Sequence, residues 1–201
     1  MPDEMQNKKV DRRVRKTRAQ LKDGLIRLLK GKSIQEITVQ ELVDEVDINR
    51  STFYLHYTDI FDMLKKVEDD FFTSCMSLVE KYDVPETEEP DLQVFAESPD
   101  ILTALYQIVK ENADFCLILM GPNGDIQFVN KVIATIDAQI KQRVSRVIEI
   151  RNQQSEYIYD YCMYGCIGLI KRWLEQGTKE PPEKLARLTA KLLVADLNYL
   201  N

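Results

Sequence analysis

ITVQELVDEVDINRSTFYLHYTD (37–59) decides how the rest of the chain is read. Within it, INRSTFYLHY (48–57) gathers the protein's only histidine, two tyrosines, a phenylalanine and an Arg-Ser-Thr triplet, in a chain of net charge −6. That decapeptide is too polar at its start for a core helix and too aromatic for a loop. Upstream, TVQE (38–41) has the spacing of a capping box, Thr38 as cap and Glu41 three residues on. Val39, Leu42, Val43 and Val46 are the apolar positions of the helix it opens. Asp47 suits a turn and Asn49 can cap the next segment, so 48–57 reads as a third, short helix. Two short helices joined by a tight turn, the second with a polar start, describe a helix-turn-helix.

Turning the short helix at about 100° per residue sorts its side chains. Phe53 and Tyr57 share the side that packs inward, while Ser51, Thr52 and Leu55 point away, with Tyr54 and His56 on the flanks. An outward side of this kind fits a major groove, where the flanking hydroxyl and imidazole N–H reach the phosphate walls. Arg50, near the helix start, can reach a guanine edge or a phosphate.

Upstream lies a first helix over 12–30, with Leu21, Leu25, Leu28 and Leu29 as one apolar stripe and Gly31 at its end. Residues 8–32 carry eleven Lys or Arg against Asp11 and Asp23, so this segment is +9 and the rest of the chain −15. A basic end on an acidic body suits a polyanion met by one end only.

Downstream, a long helix runs from about Asp59 to Tyr82. DVPETEEPD (83–91) is acidic, holds two prolines and is not expected to be helical. Ser98 as cap with Pro99 at the first helical position begins a helix to about Glu111. Further helices follow at 113–120, stopped by GPNG, at 125–151, at 155–176, closed by Gly177, and from about Leu185 to Tyr199. With few glycines and prolines, no alternating strands and no internal repeat, the expected fold is all-α, about nine helices. An N-terminal arm and helix-turn-helix domain occupy 1–58, and a helical ligand and dimerisation domain 59–201.

Residues 10–66 resemble the DNA-binding domain of the tetracycline-repressor (TetR) family of bacterial transcription regulators. The Thr-capped helix, the short turn, the small polar triplet, the aromatic pair, the histidine and the aromatic after it carry the likeness. The resemblance implies base contacts from Gln40, Arg50, Ser51, Thr52 and Leu55, and phosphate contacts from Thr38, Tyr54 and His56. Arg15 and Arg18, in the basic run, are the further phosphate contacts expected. Two departures stand out. Asp47 replaces a frequent turn glycine, and Ile60 replaces a frequent phosphate-binding lysine, leaving Lys65 and Lys66 as the cations that follow.

A recognition helix this short binds weakly as one copy, and two copies on a twofold axis are the usual remedy. Tyr161, Gly165, Gly168 and Arg172 trace one side of the penultimate helix, with Leu169 and Trp173 beside them, and Leu188, Leu192 and Ala195 would complete a four-helix contact. Phe95, Leu102, Leu105, Tyr106, Phe115, Met120, Phe128 and Tyr157 could line a site for a small apolar or aromatic ligand. The same set would also serve as ordinary core.

The lone histidine sits in the recognition segment, and no nucleophile set, phosphate loop or metal cluster accompanies it, so no enzyme, cofactor or metal is expected. Cys75, Cys116, Cys162 and Cys166 read as reduced thiols, and Cys162 and Cys166, one turn apart, as small residues of a helix contact. No apolar run of membrane-spanning length or secretion-type start occurs, giving a cytoplasmic protein. The expected function is a ligand-responsive repressor on a palindromic operator, bound as a homodimer. A helical adaptor with degenerate DNA binding is the alternative, favoured by Ile60 and the acidic body.

Overall fold

The structure, a computed structural model, describes residues 2–81, 99–122, 124–144 and 153–198. Among the described residues there are nine α-helices, one 3-10 turn (Ile34–Glu36) and no strand. The helices are α1 (Pro2–Leu29), α2 (Val39–Glu45), α3 (Arg50–Tyr54), α4 (Ile60–Lys81), α5 (Asp100–Glu111), α6 (Ala113–Leu119), α7 (Ile126–Val144), α8 (Gln153–Glu175) and α9 (Pro182–Asn198). The chain divides into two compact units, Met1–Asp70 with Gly121–Gly124, and Phe71–Met120 with Asp125–Asn201. The division falls inside α4, later than the boundary expected at 58/59.

In the first unit α1 begins ten residues earlier than expected. The start holds the good helix formers Glu4, Met5, Gln6, Lys8 and Lys9, and Pro2 sits at the end where proline is tolerated. Leu21, Leu25 and Leu29 are buried as the stripe requires, joined by Ile26, while Leu28 is half-buried. Leu42 and Val43 of α2, Phe53 of α3, and Tyr57, Ile60, Met63 and Val67 complete this core. Gly24 lets α1 and α2 close: a Cβ there would lie 2.3 Å from Val46 Cγ1 and 3.1 Å from Leu42 Cδ1. Valine has one short side-chain torsion with which to yield, so the close packing demands glycine.

Thr38 caps α2 as its position predicts, its Oγ1 accepting the Glu41 N–H at 3.2 Å. The reciprocal half of that box is not made, because the Glu41 carboxylate pairs with Lys32 instead. A carboxylate does return to its cap at Ser33, whose N–H and hydroxyl both donate to Glu36 Oε2 at 2.8 Å. Those bonds hold the Glu36 carboxyl below the usual range.

The second unit centres on Tyr106 of α5, stacked edge-on against Trp173 of α8 at 5.3 Å. Its hydroxyl lies 2.7 Å from Thr189 Oγ1 of α9. Thr189 already donates to the Leu185 carbonyl at 2.9 Å, so Tyr106 is the donor of the pair. A buried hydroxyl left without such a partner would cost about 1–3 kcal/mol. Phe71 of α4 meets Phe115 of α6 edge-on at 5.9 Å, and Tyr159 of α8 donates to the Asp137 carbonyl of α7 at 3.3 Å.

Helix ends here follow local chemistry. Asp125 Oδ1 accepts the Gln127 and Phe128 N–H groups at 2.9 Å, opening α7. Gly177 (φ 74°) and Thr178 (φ 50°) turn left-handed after α8, and Trp173 Nε1 donates across the turn to the Glu180 carbonyl at 3.0 Å. Pro99 occupies the cap position of α5 rather than its first helical residue, which is Asp100. The acidic stretch 83–91, Ser98, the end of the helix expected to reach 151 and Tyr199 lie outside the described residues.

Candidate nucleic-acid interface

The turn between α2 and α3 depends on Asp47, whose φ of 52° places it in the left-handed region. Short polar side chains tolerate this geometry where β-branched ones do not. The Ile48 N–H then returns to the Val43 carbonyl at 2.9 Å, sealing the turn. Asn49 takes the cap position of α3 with extended backbone, but its side chain makes no capping bond, contrary to expectation. Only its carbonyl engages, accepting the Thr52 and Phe53 N–H groups at 2.8 and 3.3 Å.

Regular α3 is five residues, half the decapeptide, and its sides separate as the helical rotation requires. Phe53 is fully buried and Tyr57 nearly so, their rings 5.6 Å apart. Leu55 is 80 % and Tyr54 48 % exposed, Arg50 and Ser51 are exposed, and Thr52 is half-buried. Thr38 and Gln40 are also exposed. The Thr38 hydroxyl oxygen serves its helix cap, while Gln40 Nε2 donates to Asp44 Oδ1 at 2.8 Å.

His56 is half-buried at the end of α3. Burial first, and then the charge of Arg18 on α1, holds its pKa below the ordinary histidine value. The ring is therefore neutral at pH 7 and offers one N–H. Arg18 acts on Tyr57 too, whose phenol burial pushes upward. The charge of Arg18 thus acts at the end of α3, while Arg15 lies exposed on α1.

Ile60 is 4 % exposed and fills the core, so the phosphate contact of a lysine at this position is replaced by packing. Lys66 is held at 2.9 Å from Asp62 and donates to the His56 carbonyl at 3.3 Å, its ammonium 5.4 Å from the Tyr57 ring centre. This latch on the segment after α3 was not foreseen from the sequence. Neither was Phe61, 56 % exposed in the first turn of α4. The signal was available, since Phe61 lies off the stripe of Ile60, Met63, Leu64, Val67 and Phe71.

In the second unit, Tyr161 is 70 % exposed, Gly165, Gly168, Arg172 and Ala195 are exposed, Leu169 is half-buried, and Leu188 and Leu192 are nearly half exposed. Trp173 departs from this set: it is buried against Tyr106 and cannot form part of an exposed face. Tyr106, Phe115 and Phe128 are buried, Leu102, Leu105 and Met120 half-buried, and Phe95 lies outside the described residues. Tyr157 does not join them, being 64 % exposed one turn before Tyr161. With Tyr164, also exposed and not anticipated, it extends the outward stripe of α8.

Residues 97–194 match a TetR C-terminal family described as a transcriptional regulator C-terminal region. A 52-residue stretch, 26 % of this chain, is 38 % identical to the uncharacterized HTH-type transcriptional regulator YxbF of Bacillus subtilis (strain 168). The C-terminal region of the chain, residues 97–194, is that of a TetR-type transcriptional regulator. The 52-residue match spans 14 % of the length of that curated relative.

The TetR fold extends over most of the chain. A TetR transcriptional regulator from Streptococcus agalactiae 2603V superposes with TM-score 0.55 at 21 % identity, over 91 % of this chain and 96 % of that one. FadR from Bacillus subtilis, in complex with stearoyl-CoA, gives 0.56 at 13 % identity over 89 % and 98 %. The dihydroxyacetone kinase operon activator DhaS gives 0.57 at 15 %, over 92 % and 98 %. At such identities the likeness is one of fold. Among the described residues, no helix is long and apolar enough to cross a membrane, and no group of three or more His, Cys, Asp or Glu could hold a metal.

Proposed function

We propose that this chain is a non-enzymatic, DNA-binding repressor of transcription that reads a palindromic operator as a homodimer in the cytoplasm and yields it to a small apolar ligand. One observation carries the reading: α3 is pinned by Phe53 and Tyr57 while Arg50, Ser51 and Leu55 face outward. A five-residue helix anchored by two aromatics and exposing a polar edge has the size and chemistry of a major-groove reader. The +9 segment that leads into it supplies the sequence-independent attraction to phosphate. In this reading Gln40, Arg50, Ser51, Thr52 and Leu55 meet bases, and Thr38, Tyr54, His56, Arg15 and Arg18 meet the backbone.

Dimerisation is supported by the exposed stripe of α8 and the Leu188–Leu192–Ala195 face of α9. Ligand response draws support from FadR, a protein of the same fold solved with an acyl-CoA, and from the apolar set around Tyr106. The ligand favours a dimer whose reading heads no longer match two half-sites, shifting population away from the DNA-competent form. Selection of bound sequences from random DNA tests the reading directly. The expected outcome is a palindrome with half-sites separated by about 10 base pairs or a multiple, bound with affinity that falls steeply as salt rises. Recovery of unrelated sequences, with no common half-site, would refute it.

A further inference from the structure

The cations near α3 differ in what they hold. Arg27 is 2.6 Å from Glu45, Lys32 pairs with Glu41, and Lys66 is 2.9 Å from Asp62. Arg50 differs from all three. Among the described residues no carboxylate pairs with it, and its side chain lies along Tyr54 one turn later. Arg50 Nη2 donates to the Tyr54 hydroxyl at 3.2 Å, and the guanidinium carbon stands 5.6 Å from the ring centre. The two residues are i and i+4 on an exposed helix, where side chains meet one above the other. Tyr54 is itself braced, edge-on to buried Phe53 at 5.4 Å.

We infer that Tyr54 is a positioning residue for base reading, a ring and hydroxyl that hold Arg50 extended along α3 so that its remaining donors meet one base edge. This rests on the DNA-binding reading above and deepens it. An exposed arginine has many rotamers and a nearby choice of anions, so an unheld Arg50 would take any phosphate within reach. The hydrogen bond and the ring contact with Tyr54 reduce that freedom before DNA arrives. One N–H of the guanidinium is committed to the tyrosine, and the others keep the planar fork that matches a guanine edge. The tyrosine hydroxyl accepts from Arg50 and retains its own proton, so it can still donate to a phosphate. One side chain then links a backbone contact to a base contact, and the two contacts are coupled rather than independent.

The test is a double-mutant cycle on the operator obtained by selection. Affinities of wild type, Tyr54→Phe, Tyr54→Leu, Arg50→Ala and Arg50→Ala/Tyr54→Leu are measured for operators carrying each base pair at each half-site position. Arg50→Ala identifies the position it reads by a loss of discrimination of about tenfold or more there. Tyr54→Leu is expected to lower discrimination at that same position by about three- to tenfold, and Tyr54→Phe, which keeps the ring, by about twofold. In the Arg50→Ala background, Tyr54→Leu should leave discrimination at that position unchanged. Equal weakening of every operator by Tyr54→Leu, with the same loss whether or not Arg50 is present, would overturn the inference while leaving DNA binding intact. A wild-type protein with no preferred sequence would overturn both. If Tyr54→Leu does not fold, the Tyr54→Phe arm decides the matter on its own, and unchanged discrimination there counts against the proposal.

Discussion

At Gly24 two opposed effects meet in one methyl group. Alanine in mid-helix is favoured over glycine by about 1 kcal/mol, yet the added Cβ would stand 2.3 Å from Val46 Cγ1. Overpacking of that kind costs about 1–3 kcal/mol, and the approach of α1 to α2 leaves it nowhere to relax. Gly24→Ala is therefore expected to destabilise the first unit, seen as a lower denaturant midpoint, and Val46→Ala in the same chain should recover part of the loss. A single substitution that raised the midpoint would contradict the packing. Nothing in the sequence marks this glycine, because the contact joins residues far apart in the chain. His56 offers a second test, as its imidazole is the only one and its resonances need no assignment. Its pKa lies below the ordinary value, so the folded state binds its proton less readily than the unfolded state does. The sign follows from linkage: His56 favours folding above about pH 6.5 and disfavours it as pH falls through the window below. An NMR titration should give a midpoint under the free-histidine value, rising when Arg18 is changed to Gln. A midpoint at or above that value would count against the burial seen here.

At the level of elements, the sequence was most informative where a helix carries its own start signal. Thr38, Asp125 and Gly177 mark the ends of α2, α7 and α8 by local hydrogen bonding or left-handed geometry that a short window contains. It was least informative where tertiary pairing overrides a local pattern, as with Glu41, drawn to Lys32 rather than to its cap. The α2–α3 turn shows both aspects. Asp47 was legible as a residue able to replace glycine, while the idle side chain of Asn49 was not. Asp47→Gly should be neutral or slightly stabilising, since glycine takes φ near 50° without strain. Asp47→Val should lower stability by about 1–3 kcal/mol and weaken operator binding with it, because the turn sets the angle of α3. Thermal unfolding of the two variants side by side measures this, and equal midpoints would mean that the left-handed turn is unimportant.

At the scale of the whole molecule, the outward side of α8 is the feature that the first unit cannot supply for itself. Tyr157, Tyr161 and Tyr164 are each about two-thirds exposed or more, and Gly165 and Gly168, which follow them on the same side, have open space above the backbone. Three exposed tyrosines and two bare glycines on one helix face are unusual for a lone chain and ordinary for a surface that meets its own copy. The periodicity held this pattern in full: Tyr157 is four residues before Tyr161 and belongs with it, although an apolar aromatic invites assignment to the interior. Trp173 misleads in the opposite way, standing next to exposed Arg172 yet turned inward to Tyr106, a choice set by α5 and invisible in α8 alone. Gly165→Leu and Tyr161→Asp act on the face without touching the core, so each variant should keep its helicity. If the chain is the homodimer proposed above, sedimentation should show a shift from dimer to monomer, with affinity for the full palindrome falling by more than tenfold, about 1.4 kcal/mol or more, and affinity for an isolated half-site changing little. Loss of both affinities together would mean that α8 serves the reading head directly. A stable dimer in both variants would move the twofold contact to another face.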